Sequence, residues 1–386
     1  MEIAERLKNL PPYLFAEIDK KKKQKIKEGK DIIDLGVGDP DTPTPPYIVD
    51  RLCEEVRDAG SHRYPSGRGL IEFRVAISRW YKKRFNVALD PESEILPLIG
   101  SKEGIAHMPL AFINQRDTAL IPDPCYPPYR SGVILAGGVP YYMPLLEQNA
   151  FLPDLDEVDY QVAQKAKIIY LNYPNNPTGA CATEDFFKET VKFAETNKVI
   201  VCHDAAYSEL SFEENKPLSF LQIEGAKDVG VEFHSLSKTF NMTGWRVGFA
   251  CGRPEIIAAL GKVKENIDSG VFEAIQRAGI EALEKETDHL KNLIDLYRQR
   301  RDVLVEGLGS LGWKVLKPRA TFYVWIPVPP GYTSMELADK LLEKASVVVT
   351  PGVGFGDNGE GYIRIALTVN KERIEEAVER IAGLHE

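Results

Sequence analysis

The chain is poor in the features that would place it outside ordinary globular chemistry. It has five cysteines in 386 residues, at positions 53, 125, 181, 202 and 251, an odd number with no C-x-x-C pair. That excludes a disulfide framework and a cysteine-built zinc site, and it fits a reducing compartment. Long apolar runs are missing too. The longest, 133–146, is interrupted by Gly137, Gly138, Pro140 and Pro144, so no membrane span is expected. Glu2, Glu5, Arg6 and Lys8 interrupt the N-terminus, where a signal peptide would need an apolar core. The expected location is cytoplasmic. Positive charge is in deficit, 48 Lys and Arg against 57 Asp and Glu, a net −9 that argues against a nucleic acid held through its phosphates. The single basic block, Lys20 to Lys23, lies in a segment of helical spacing and reads as a solvated face. There is no internal repeat and no low-complexity tract.

What is present is alternation. The length exceeds a single core, so two packed substructures are expected. Helices are predicted over 47–59 and 69–85, then strands at 95–99, 118–121, 139–144, 168–173, 199–203, 232–235 and 247–251, with helical patterns such as 183–196 between them. Such alternation predicts an α/β fold, a mostly parallel central sheet with helices on both faces. From 266–284 and 291–308 the pattern turns long and helical, and 313–386 reads as a smaller α+β unit. Gly36-Val37-Gly38-Asp39-Pro40 and the prolines at 43, 45 and 46 mark a boundary. The organisation expected is an N-terminal arm, 1–45, that joins the small unit; a large unit, 46–280; and a C-terminal unit, 281–386.

The centre of the chain is 231–252, VEFHSLSKTFNMTGWRVGFACG. Two apolar runs flank a connection too short for a parallel crossover, so the second strand should run antiparallel. Lys238 then sits just past a strand end, where open α/β sheets form their pockets. Most lysines in turns are merely solvated. Here Ser235, Ser237, Thr239 and Arg246 surround the amine with hydroxyls and a guanidinium, a set suited to a phosphate beside a Schiff-base lysine.

Other strand ends carry similar signals, each with a plainer alternative. Asp204 and Tyr207 follow the strand at 199–203: a carboxylate capping the next turn, or one that faces a pyridinium nitrogen. Tyr173-Pro174-Asn175-Asn176-Pro177-Thr178-Gly179 is a turn signature. Asp123-Pro124-Cys125-Tyr126-Pro127-Pro128-Tyr129 is a rigid loop whose Tyr126 fits either a core or a stacking role. Gly100-Ser101-Lys102-Glu103-Gly104 opens a helix, either as a simple cap or as a phosphate site. Gly38 is a turn glycine or a place of close ligand approach. Arg364, in the alternating run 361–367, could merely reach the surface.

Taken together, S-x-S-K and G-W-R-x-G, with D-x-x-Y, N-N-P-T-G, P-x-Y-P and R-I-x-L, resemble the fold-type-I, pyridoxal-phosphate-dependent class I/II aminotransferases over nearly the whole chain. The resemblance implies that Lys238 carries the cofactor as an imine, with Ser101, Lys102, Ser235, Ser237 and Arg246 around the phosphate. It implies Asp204 on the ring nitrogen, Tyr207 and Asn176 on the phenolic oxygen, and Tyr126 against the ring. Arg364 would clamp the substrate α-carboxylate. Tyr64, in Tyr64-Pro65-Ser66-Gly67-Arg68-Gly69, would reach the phosphate of a partner subunit, which makes the expected assembly a homodimer with shared active sites. No metal enters this scheme. The implied reaction is ping-pong transamination between amino acids and 2-oxo acids, with Lys238 shuttling the α-proton.

Within the family, the run 10–19 (LPPYLFAEID), the helix start at 100–104 and the run 234–246 resemble the LL-diaminopimelate aminotransferases of lysine biosynthesis. This implies that Tyr13, Gly38, Lys102, Tyr126, Asn176 and Arg364 touch the substrate. The best-known branch has a glutamate three residues after the Tyr64 position; this chain has Gly67. Neighbouring specificities on the same scaffold (aspartate, alanine or aromatic aminotransferase, carbon–sulfur lyase) stay open. A cofactor-binding transcription regulator would need a basic winged-helix extension that the chain does not show.

Overall fold

The computed structural model describes residues 2–11, 14–214 and 216–384. Tyr13 therefore lies outside the described residues. The strands are β1 (Ile33–Asp34), β2 (Ile95–Leu98), β3 (Thr118–Asp123), β4 (Val139–Pro144), β5 (Ala166–Asn172), β6 (Ile200–Asp204), β7 (Gly230–Ser235) and β8 (Gly248–Gly252). They continue with β9 (Tyr323–Pro327), β10 (Val347–Val348), β11 (Thr350–Pro351) and β12 (Tyr362–Ala366).

Seven of these form one sheet in the order β2-β8-β7-β6-β5-β3-β4. The near-continuous apolar runs of β5 and β6 suit strands covered on both faces. Their side chains alternate between two cores: Ile169, Leu171 and Val201 pack on one face, Ile168, Tyr170 and Cys202 on the other. Each large apolar side chain buried this way contributes about 2 kcal/mol. β8 pairs antiparallel with β7, Ser235 facing Gly248, as the short connection requires. β2 pairs antiparallel with β8, Leu98 facing Gly248. The ends of β2, β5, β6 and β7 thus share one edge of the sheet, and the helices and loops that follow them open there.

A second sheet, β11-β12-β9, is antiparallel, and β1 pairs in parallel with β10. Ile33 and Leu35 bury with Tyr297, Leu304, Phe322 and Ile365, so the N-terminal strand packs into the C-terminal core.

Two readings of the helices need correction. The helix read over 266–284 is two helices, Pro254–Ile267 and Glu273–Glu284. The break falls at Gly270, where an added Cβ would sit 2.2 Å from the Ser66 carbonyl oxygen. The helix Pro254–Ile267 escaped the periodicity reading although Pro254 at its first turn is a start signal. Within 313–326, residues 314–319 form no regular element and β9 begins at Tyr323.

Candidate active site

At the shared strand edge lies a cavity of about 440 Å³ whose walls come from β5, β6, β7, β9, β12 and the loops after them. Lys238 is in the one-turn helix Leu236–Thr239, begun by Ser235, whose hydroxyl accepts from the Ser237 N–H. The Lys238 ammonium donates to the carbonyl oxygen of Gly38, 200 residues away, at 2.8 Å. Burial pushes its pKa down to about 8; Asp39 opposes this, and Arg364 and Arg246 add to it. Such an amine is part deprotonated near neutrality, as a nucleophile or proton carrier must be.

Asp204 ends β6 with its carboxylate on the cavity. Tyr129 donates to its Oδ2 at 2.8 Å and the Ala206 N–H reaches Oδ1 at 3.3 Å. Burial raises the carboxyl above its usual range despite these donors. A cation from the cavity side would restore the ionised form. Asn172, at the end of β5, donates to the Asp204 carbonyl oxygen at 2.7 Å and accepts from the Asn176 N–H at 2.7 Å. This bond pins the turn that carries Asn176.

Arg364, on β12, is 4 % exposed, which excludes an exit to solvent. It donates to Asn176 Oδ1 at 2.8 Å and to the Gly36 carbonyl at 2.7 Å. Its guanidinium lies between the rings of Tyr323 and Phe355, 4.2 and 4.7 Å from their centroids. Its Nε has no hydrogen-bond partner, and among the described residues no carboxylate pairs with it. A buried cation with no counter-charge calls for an anionic ligand.

The helix Ser101–Phe112 starts at the same edge, behind Gly100 at φ 75°, with no side-chain cap. The Glu103 N–H bonds the Gly100 carbonyl at 3.2 Å, and the N–H groups of Ser101 and Lys102 are left for an anion. A Cβ on Gly100 would sit 2.3 Å from Arg246 Nη2, so glycine lets that guanidinium lie against the helix start. Arg246 itself has a left-handed backbone (φ 55°), a strain typical of functional positions.

The structure brings Gly38, Ser101, Lys102, Tyr126, Asn176, Asp204, Tyr207, Ser235, Ser237, Lys238, Arg246 and Arg364 around one cavity. It does not bring Tyr64, which is 92 % exposed and away from the cavity of its own chain. Tyr129, Asn172 and Tyr323 were missed. Asn172 left a signal, a polar residue ending an apolar strand; the two tyrosines left none. The set fits a pyridoxal phosphate: hydroxyls, free N–H groups and Arg246 for a phosphate, a carboxylate for a ring nitrogen, and an amine between them.

Comparison with known proteins decides the family. Residues 30–381 match the profile of "Aminotransferase class I and II". The chain belongs to the class I and II aminotransferases. It is a pyridoxal-phosphate-dependent transaminase. The chain is 55 % identical to the LL-diaminopimelate aminotransferase of Halothermothrix orenii, over 99 % of its length and 98 % of the relative's. It is 57 % identical, with the same coverage, to that of Syntrophobacter fumaroxidans. Among solved structures, substrate-bound BacF from Bacillus subtilis superposes with a TM-score of 0.95 at 41 % identity, covering 100 % of this chain and 98 % of that one. An aspartate aminotransferase double mutant of Thermus thermophilus superposes at 0.93 with 27 % identity and full coverage of both chains.

Proposed function

We propose that this transaminase is an LL-diaminopimelate aminotransferase, passing an amino group between LL-diaminopimelate and 2-oxoglutarate. What carries the reading is the group of full-length relatives of that name, 50 to 57 % identical. The cavity supports it, since Arg364 offers an α-carboxylate a buried guanidinium whose Nε has no partner. Lys238 would hold the cofactor, and its freed amine would take up the proton from the substrate α-carbon. Asp204 keeps the ring nitrogen protonated; Tyr207 and Asn176 hold the phenolic oxygen. Ser101, Lys102, Ser235, Ser237 and Arg246 bind the phosphate, and Tyr126 packs on the ring. The bound cofactor supplies an electron sink for the pair left when the α-proton departs. Tyr13, the Gly38 backbone and Lys102 meet the rest of the substrate.

The same reading has the protein act in the cytoplasm as a homodimer, with Tyr64 completing the partner's phosphate site; its 92 % exposure in a single chain supports this. It divides the chain into an arm at 1–45, a large unit at 46–280 and a small unit at 281–386. Stopped addition of LL-diaminopimelate to the loaded enzyme tests specificity. The visible cofactor band should bleach as the pyridoxamine band rises. No response, with a strong one to aspartate, alanine or an aromatic amino acid, would reassign the donor.

A further inference from the structure

Tyr323 is a cavity residue to which the proposed function gives no task. Its hydroxyl lies 3.1 Å from that of Tyr207, although the two belong to strands and loops 116 residues apart. Both tyrosines are buried, at 3 % and 6 % exposure. The close fit reaches the backbone of Gly38, where an added Cβ would fall 2.0 Å from the Tyr323 oxygen. A glycine at 38 therefore clears the space in which this hydroxyl sits. Among the described residues, neither hydroxyl has another hydrogen-bond partner.

Each phenol has one hydrogen to give, so the pair must choose a direction. If Tyr207 donates to Tyr323, it turns a lone pair toward the cavity. If Tyr323 donates to Tyr207, the Tyr207 hydrogen is left for the cavity and is polarised by the bond it receives. An anionic oxygen in the cavity selects the second arrangement. We propose that Tyr323 is a positioning residue for transamination, donating to Tyr207 so that Tyr207 in turn donates to the cofactor's phenolic oxygen. The proposal rests on Tyr207 holding that oxygen, as read above. Asp204 from β6 and Arg364 from β12 are the charged groups acting on Tyr207, and Lys238, Lys102 and Arg246 line the same cavity. A phenylalanine at 323 leaves them in place and keeps the ring beside Arg364.

The test is a spectrophotometric pH titration of the loaded enzyme's visible band for the native chain, Tyr323→Phe, Tyr207→Phe and the double variant. A donor to the phenolic oxygen favours its anion, so losing or weakening that donor raises the midpoint of the band. Tyr323→Phe should raise it by about half a pH unit, the size expected for one neutral hydrogen bond. Tyr207→Phe should raise it further, and the double variant should match Tyr207→Phe alone. KM for the amino donor should stay unchanged, because the ring beside Arg364 is kept, and thermal unfolding of Tyr323→Phe should follow the native curve. An unmoved midpoint in Tyr323→Phe, an equal extra shift in the double variant, or a parallel rise in KM would overturn the proposal. If Tyr207→Phe itself leaves the midpoint in place, the underlying assignment of Tyr207 fails instead.

Discussion

Lys238, part-buried, and Arg364, buried, are cations in one cavity, and they meet desolvation differently. A lysine can shed its proton, and Lys238 is pushed toward doing so, to about 8. Burial also lowers the pKa of Arg364, but a guanidinium keeps its charge, so Arg364 needs carbonyls, ring faces and finally an anion. The first behaviour suits a group that must bond to an aldehyde and carry a proton. The second suits a clamp. We therefore expect the rate at which apoenzyme captures pyridoxal phosphate to rise with pH through a midpoint near 8, the value set by burial of Lys238. Stopped-flow absorbance over a pH series measures it. Lys238→Ala should form no covalent visible band while unfolding at a normal temperature; a midpoint near the ordinary lysine value of 10.5 would remove the burial argument.

Behind the cavity, the ends of β6 and β7 are joined by a buried carboxylate. Glu232, fully buried on β7, accepts from His203 Nδ1 at 2.8 Å and His234 Nε2 at 2.7 Å. It also accepts from the Phe220 N–H at 2.8 Å and from the hydroxyls of Tyr81 and Ser219. Burial alone would raise its pKa, yet these donors and the two imidazoles hold it far below the usual 4.5. His203 precedes Asp204 and bonds the Tyr173 carbonyl at 3.0 Å, so the network ties β6 to the turn that carries Asn176. A carboxylate with a depressed folded pKa stabilises the protein above its unfolded value and loses that contribution as pH falls. Glu232→Gln should cost about 3 to 5 kcal/mol near pH 7, the toll of breaking a buried pair. Its stability should also fall less steeply than the native protein's below pH 4.5. Urea unfolding between pH 3 and 7 reads both effects; parallel acid limbs would contradict the assignment.

At the scale of the whole molecule, the site depends on joining the two ends of the chain. Arg300, in the helix His289–Ser310, grips Asp41 through two hydrogen bonds of 2.7 and 2.8 Å and also holds the Leu367 carbonyl. Thr350 and Thr368 donate to the carbonyls of Gly36 and Val37. The segment 36–41 is thereby tied to the C-terminal sheets, with the Gly36 carbonyl turned to Arg364 and that of Gly38 to Lys238. Asp41→Asn should destabilise the protein by about 2 to 3 kcal/mol, below the fully buried value because Asp41 is part exposed. It should also raise KM for the amino donor more than it lowers kcat, since the substrate clamp loosens first. Calorimetry with steady-state kinetics checks this; a loss confined to kcat would point to the chemistry instead.

The amino-acid sequence by itself determined the sheet-and-helix alternation and the antiparallel turn around Lys238. It also determined most of the chemical groups: Lys238, Asp204, Tyr207, Asn176, Arg246 and Arg364 stand in short motifs, and apolar strands end at chemically unusual residues. Only the tertiary structure decided what those groups lean on. Tyr129 and Tyr323 are ordinary core residues along the chain, and Asn172 and Glu232 show only as polar residues in apolar strands. Each gains its part in the site from a partner that the packing of distant segments delivers, or from one across a strand pair or a tight turn. The helix break at Gly270 belongs with them, since the Ser66 carbonyl pressing on it lies some two hundred residues earlier. A local pattern records which face of a strand or helix is apolar; it holds no record of which distant atom will lie against it.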